Sequence, residues 1–260
     1  MLSLLKRLTV DQWALVDREH RKESLPSLKP VAVLIAVAIS LVVAHFWGKP
    51  TSVANLPGVQ DFLQRLPTPE LYPSLYWALF KVVNYLLIPV VCIKLVLREN
   101  VVDFGLTLRH SARIWGLYLA MFLVVLPLAY LVSSTPAFLK TYPKFAGAGE
   151  SWGVFFVWEA AYGLQFFLLE FFFRGFALFA LARYIGSLAI FVMVVPYAMI
   201  HFGKPAAECF GSIIAGTALG TIALRTRSIY GGVFVHCGIA WSMDVFAMLH
   251  KGTFQQLLQR

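Results

Sequence analysis

Charge is scarce in this chain. Lys, Arg, Asp and Glu together make up 13% of its 260 residues, about half of what a soluble domain carries. The deficit excludes an ordinary water-soluble globule. Cysteine is scarce too. Cys92, Cys209 and Cys237 have no regular spacing and form no CxxC, which excludes a disulfide-built scaffold and a thiol metal knuckle. They read as buried free thiols. No HExxH is present, so the commonest helix-borne zinc motif is missing. There is no internal repeat, no low-complexity tract and no composition shift marking a second domain. No cleavable signal peptide is expected, because the first apolar run begins only after a mixed-charge, amphipathic stretch, "LLKRLTVDQWALVDREHRK".

What is abundant is apolar sequence. Hydrophobic residues make up 59% and the mean hydropathy is +0.73. Apolar runs reach roughly 18 residues or more, enough to cross a bilayer core. The pattern predicts an all-α, polytopic transmembrane helical bundle of about seven spans (six to eight), near 30–47, 74–97, 114–132, 153–183, 186–202, 206–224 and 229–249. The fourth is long enough to tilt, bend or break. The chain divides into an amphipathic N-terminal segment (1–29), N-terminal transmembrane helices (30–149), a core that carries the chemistry (150–249) and an amphipathic, interfacial tail (250–260). A net charge of +9 fits loops facing anionic lipid better than a nucleic-acid surface, so no nucleic-acid partner is expected. Lys and Arg alternate between rich and poor polar segments. Residues 1–29 hold six, the loop 48–73 holds Lys49 and Arg65, and the next holds Lys94, Arg98, Arg109 and Arg113. That alternation puts the N-terminus in the cytoplasm. The GxxxG at "GTALG" (216–220) reads as a close helix contact.

Several ionisable residues lie where the chain is most apolar. Glu159, Glu170, Arg174, His201, Glu208, His236 and Asp244 all follow residue 150. A charge at the bilayer centre costs at least about 3 kcal/mol, so these groups should face one another or a wet cavity. Glu170 and Arg174 are four apart and share a helix face. Glu170 lies about 15 residues before the turn at 184–187 and His201 about 15 after it, which gives them similar depth on antiparallel helices. The turn "HFGKPAAE" (201–208) brings Glu208 back toward His201. His236 and Asp244, eight apart, share one face of the last span. Two chemistries fit these residue types. His201, His236 and Glu208 could hold a divalent metal, zinc by donor type. Alternatively, a desolvated carboxylate could act as general base. The structural readings stay open beside them. Glu170–Arg174 could be an ion pair that locks the fold, and His201 with Glu208 a polar cap on a tight turn. His236 could be a hydrogen-bonded core histidine, and Asp244 a solvated interfacial acid. Glu159, beside Trp152 and Trp158, reads as interfacial.

Three stretches, "LEFFFRG" (169–175), "YAMIHFGKP" (197–205) and "FVHCGIAWSMD" (234–244), resemble the motifs of the CPBP intramembrane proteases. This is the CAAX-protease, Abi or Rce1-like family, whose pattern is EExxxR, then FxxxH, then HxxxN or HxxxD. The resemblance covers about residues 150–248. It implies a membrane endopeptidase that hydrolyses peptide bonds of membrane-associated, possibly prenylated CAAX-type, proteins or peptides with a Glu-activated water and a His-based site. Glu170 and Arg174 match the second Glu and the Arg of the first motif. His201 matches the second-motif His, with Tyr197 in place of Phe, and His236 matches the third-motif His. Two positions depart. The first Glu is Leu169 and the Asn or Asp after His236 is Ala240, which puts activity in question. Glu208 and Asp244 are candidates to replace the missing groups. The expected catalytic set is therefore Glu170, Arg174, His201, Glu208, His236 and Asp244, with the lipid bilayer and a membrane-associated substrate as partners. The alternatives are a catalytically inactive homologue acting as a membrane scaffold or bacteriocin self-immunity protein, and, further off, a proton-coupled transporter.

Overall fold

A computed structural model describes residues 6–20, 27–108 and 114–259. Among these residues every regular element is helical and there is no strand. The long helices are α1 (Val10–His20), α2 (Leu28–Phe46), α3 (Leu71–Val91), α4 (Trp115–Val132), α5 (Trp152–Glu170), α6 (Leu178–Ile185), α7 (Leu188–Met199), α8 (Ala206–Thr226) and α9 (Tyr230–His250). Two π-helical segments extend this set. Cys92–Leu97 continues α3, and Phe171–Ala177 joins α5 to α6 without a break. Of the Lys and Arg residues behind the expected N-terminal orientation, Arg21, Lys22, Arg109 and Arg113 lie outside the described residues.

Six helices among the described residues are long and apolar enough to cross a membrane: Leu28–Phe46, Leu71–Leu97, Trp115–Val132, Trp152–Ile185, Ala206–Thr226 and Tyr230–His250. The seventh expected span, 186–202, is not one of them. Its helix, α7, has 12 residues, about 18 Å of rise against a hydrocarbon core of about 30 Å. Two glycines set its limits. Gly186 (φ +56°) breaks the chain before it, and Gly203 (φ +90°) turns the chain after it. Hydropathy alone cannot see such breaks, because the residues around them stay apolar. The fourth span keeps its expected length as one 34-residue helix. Its middle is a π segment, Phe171–Ala177, rather than a gap. It is also the most enclosed span, 89% buried in its apolar window against 11–39% for the others.

The chain forms two compact units, each gathered from three stretches of sequence. The first contains residues 1–38, 86–116 and 170–233. Here the π segment, α6, α7 and α8 pack on one another around Phe172, Phe173, Phe176, Phe179 and Ile190. Lipid tails are as apolar as these side chains, so close van der Waals packing holds the helices together. The GTALG stretch provides it. A Cβ on Gly216 would lie 3.0 Å from Val194 Cγ2, and one on Gly220 would lie 3.2 Å from Met193 Cε. The α1 helix straps this unit from the outside. Trp13 Nε1 donates to Thr221 Oγ1 at 3.1 Å. The Asp17 carboxylate accepts the Ser187 N–H at 2.6 Å, where the amino end of α7 favours an anion. Glu19 pairs with Arg225 at 2.6 Å, and His20 Nε2 meets the Leu224 carbonyl at 3.1 Å.

The second unit contains residues 39–85, 117–169 and 234–260. Trp77, Trp158 and Tyr162 stack in its core, and Phe138, Tyr142, Met243 and Ala247 form a second cluster. One buried amide inside it is fully engaged. Asn84 donates to both the carbonyl and the hydroxyl of Ser40, at 3.0 and 2.8 Å. The tail forms the helix Thr253–Leu258, which packs on the turn Ala146–Gly149 and buries Leu257.

The strap should be sensitive to acid. Burial holds the His20 pKa below its ordinary 6.5, with Arg227 and Arg225 adding to the shift against the Leu224 carbonyl and Glu19. A released α1 then takes up a proton before the docked one does. Docking is at full strength above pH 6.5 and weakens as pH falls toward the depressed value. Trp13 fluorescence and proteolysis within α1 should therefore report weakened docking as pH falls below 6.5. His20→Gln should remove the pH dependence.

Candidate functional site

Glu170 is the last residue of α5 and opens the π segment. The wider i→i+5 turn of a π-helix is rare and concentrates at functional positions. Within it, Gly175 lets the helix approach the 101–105 turn, since a Cβ there would stand 2.5 Å from the Phe104 carbonyl oxygen. Glu170 is 0% and Arg174 1% exposed, and Arg174 Nη1 donates to Glu170 Oε1 at 2.8 Å. Neither charge could stay in this apolar interior alone. Breaking such a pair from one side costs about 3–5 kcal/mol. The guanidinium lies over the Tyr197 ring, with Cζ 3.9 Å from its centroid, a cation–π contact worth about 2 kcal/mol when desolvated. Gly232, near the start of α9, closes the other side of the carboxylate. A Cβ there would be 2.6 Å from Glu170 Oε2.

His201 follows from Tyr197 by one turn. It lies not inside a span, as expected, but in the turn that ends α7, and is 5% exposed. Its Nδ1 is 2.8 Å from the Tyr197 carbonyl. A carbonyl oxygen only accepts, so Nδ1 carries the hydrogen and Nε2 is the basic nitrogen. The Tyr197 and His201 rings meet edge to face at 4.8 Å. Cys209 Sγ donates to the His201 carbonyl at 3.0 Å, which ties the turn to the first residues of α8. Glu208 stands beside it in the first turn of α8. Its carboxylate accepts from Lys204 Nζ at 2.6 Å, and both side chains are about one-fifth exposed. Pro205 occupies the N-cap of α8.

Glu170, Arg174, His201 and Glu208 thus share the first unit. His236 and Asp244 belong to the second. His236 packs on the Phe166 ring at 4.4 Å. Asp244 is 0% exposed, so it is not a solvated interfacial acid. It accepts the Lys144 backbone N–H at 2.8 Å and Trp158 Nε1–H at 3.1 Å. Glu159, expected at the interface, is 8% exposed and its side chain faces that of Asp244. Hydropathy pointed outward because Glu159 begins a span beside tryptophans, whereas its immediate neighbour Trp158 is buried, at 1% exposure, and only Trp152 stays at the surface. Leu169 and Ala240, where the resemblance calls for polar groups, are buried at 3% and 5% exposure. Among the described residues no three His, Cys, Asp or Glu side chains are grouped as a metal-binding set. A basic imidazole nitrogen and a partly exposed carboxylate can together handle the protons of a water molecule.

Sequence reasoning missed Tyr197 as the link between Arg174 and His201, and Gly232 as the wall behind Glu170. The i, i+4 spacing of Tyr197 and His201 was the available signal for the first. The Gly231–Gly232 pair beside the third motif was the signal for the second.

The wall has a measurable consequence. Gly232→Ala should lower stability in detergent by about 1–3 kcal/mol, as overpacking does, because the Glu170 carboxylate it strikes cannot retreat from Arg174. Gly211→Ala in α8, where nothing lies within 4 Å of the added carbon, should be neutral or stabilise by up to about 1 kcal/mol. Thermal unfolding of the two variants side by side reads the difference.

Residues 151–242 match the family model described as type II CAAX prenyl endopeptidase Rce1-like. No curated protein and no solved structure matches the chain. The matched stretch contains the Glu170–Arg174 pair, Tyr197, His201, Glu208 and His236, and it runs through helices long and apolar enough to cross a membrane. This protein is an integral, multi-pass membrane protein whose residues 151–242 make an Rce1-like domain of the CAAX-protease family.

Proposed function

We propose that this protein is an intramembrane endopeptidase acting on membrane-associated proteins or peptides of the prenylated CAAX type, with its N-terminus in the cytoplasm. The observation that carries the reading is the run of contacts from Glu170 through Arg174 and Tyr197 to His201, inside the stretch that matches the endopeptidase family. Glu208 is the base. It is the carboxylate of the set with solvent exposure, whereas Glu170 is enclosed and held by Arg174. Glu208 takes a proton from water as the oxygen attacks the scissile carbonyl carbon. His201 Nε2 accepts the water's other hydrogen and so orients the lone pair. When the tetrahedral intermediate collapses, the C–N bond breaks and the proton held by Glu208 passes to the leaving nitrogen. The Glu170–Arg174 pair keeps the π turn and the Tyr197 ring in register beneath His201. For His236 the third motif alone supports a role, as oxyanion donor or metal ligand. The two N–H donors on Asp244 support a role in holding the 142–145 turn.

A second reading has its own observation. Leu169 and Ala240 place buried apolar side chains where the family pattern has polar ones, as a non-catalytic scaffold or immunity protein would. Cleavage of a prenylated CAAX peptide by the purified protein separates the two. Under the endopeptidase reading the wild type cleaves it, and His201→Ala and Glu208→Gln each lower kcat on the order of 100-fold or more while thermal stability stays close to wild type. An intact wild type that leaves the peptide uncut would favour the scaffold.

Zinc follows from donor type and from the resemblance, and metal content tests it. If His201 and Glu208 are ligands, metal analysis should find near-stoichiometric zinc in the wild type and much less in His201→Ala and Glu208→Ala. A metal-free, active wild type would leave the glutamate–histidine route alone.

A further inference from the structure

We propose that Tyr197 is a positioning residue, whose ring transmits the geometry of the buried Glu170–Arg174 pair to His201. The inference rests on the endopeptidase reading of the same site. Tyr197 is 3% exposed and every side of its ring is occupied within the first unit. The Arg174 guanidinium covers one face, with Cζ at 3.9 Å. The Phe173 ring meets it edge-on at 5.3 Å and 75°. The His201 imidazole meets it at 4.8 Å and 63°. On α8, Gly216 leaves room for Cδ1, since a Cβ there would stand 3.1 Å away. The backbone of the same residue fixes the imidazole's hydrogen through the Nδ1–carbonyl contact at 2.8 Å.

One residue therefore sets two variables of the site. Its carbonyl decides which imidazole nitrogen is basic. Its ring decides where the imidazole plane and the guanidinium lie relative to each other. The carbonyl function survives any substitution, because it belongs to the helix. The ring function needs a flat, electron-rich face for the cation and an edge for the imidazole, which phenylalanine supplies and an aliphatic side chain does not. Losing the face leaves Arg174 held only by Glu170, free to swing. The imidazole then loses the edge that limits its rotation. A displacement of about 1 Å in a catalytic group can lower turnover on the order of 100-fold, while substrate binding, governed by other contacts, stays the same.

The test measures kcat and KM separately on a prenylated CAAX peptide for wild type, Tyr197→Phe, Tyr197→Leu and His201→Ala. Tyr197→Phe should stay within about threefold of wild type. Tyr197→Leu should lose kcat by about 10- to 100-fold with KM within about twofold, the signature of a group that acts only in the transition state. A Tyr197→Leu enzyme with wild-type kcat overturns the proposal. So does a Tyr197→Phe enzyme that falls as far as the leucine variant, which would assign the role to the hydroxyl. Should Tyr197→Leu fail to assemble, Gly216→Ala moves the same ring from behind. Folded Gly216→Ala with several-fold lower kcat and unchanged KM supports the proposal, and wild-type kcat there overturns it. The His201→Ala control separates the two levels. Full turnover without His201, or none in the wild type, overturns the endopeptidase reading of this site and the proposal with it. Loss in His201→Ala beside full turnover in Tyr197→Leu overturns the positioning role alone.

Discussion

A carboxylate and a guanidinium four residues apart, shut inside the most enclosed helix of the protein, set the terms for everything around them. Glu170 and Arg174 are each almost without exposure, and an isolated charge in such surroundings is costly. Each exists as a charge because the other does. Their neighbours follow from that need. The helix widens into a π segment at Glu170, an aromatic ring lies under the guanidinium, and the facing helix offers a glycine where any side chain would strike the carboxylate. Taken singly, the wide turn, the ring and the missing Cβ look unrelated. Each is a way of enclosing one ion pair without leaving a gap.

The second unit handles its acid differently. Asp244 lies beside the Glu159 carboxyl. It is held by two N–H donors, one from the backbone of Lys144 and one from the Trp158 indole. Donors of this kind satisfy a carboxylate and also fix what they belong to, here a turn and a core tryptophan. An ion pair within a helix leaves the surrounding chain free to carry other groups. An acid bound to a turn and a tryptophan holds those elements in place.

Within the Rce1-like domain, the positions that differ from the family pattern are filled by well-packed apolar side chains, Leu169 and Ala240. The acid with solvent access near His201 is Glu208, carried on the next helix by a tight turn that Gly203, Pro205 and the Cys209 thiol all help to hold. An acid in the first turn of a helix sits where the helix dipole favours an anion, and Glu208, about one-fifth exposed, is open to solvent there.

Composition and spacing were enough to identify a helical membrane protein, to find its six long apolar helices among the described residues closely and to pick out the ionisable residues after position 150. These follow from local rules: apolar runs of bilayer length, charge where charge is expensive, and i, i+4 neighbours on one face. The GTALG contact was legible for the same reason, since small residues at that spacing let helices touch. The shortness of α7 was not, because Gly186 and Gly203 break the helix without lowering its hydropathy. Nor was the inward turn of Glu159, because a span's start looks the same whether its tryptophans face lipid or core. The partners of each charge lay furthest beyond the sequence. That Arg174 meets Tyr197, that Gly232 backs Glu170 and that Asp244 binds Lys144 depends on which helices lie side by side. Adjacency is a property of packing, and no local pattern encodes it. The sequence alone determined which residues were too costly to leave unpaired in an apolar interior. Only the tertiary structure decided with what they were paired.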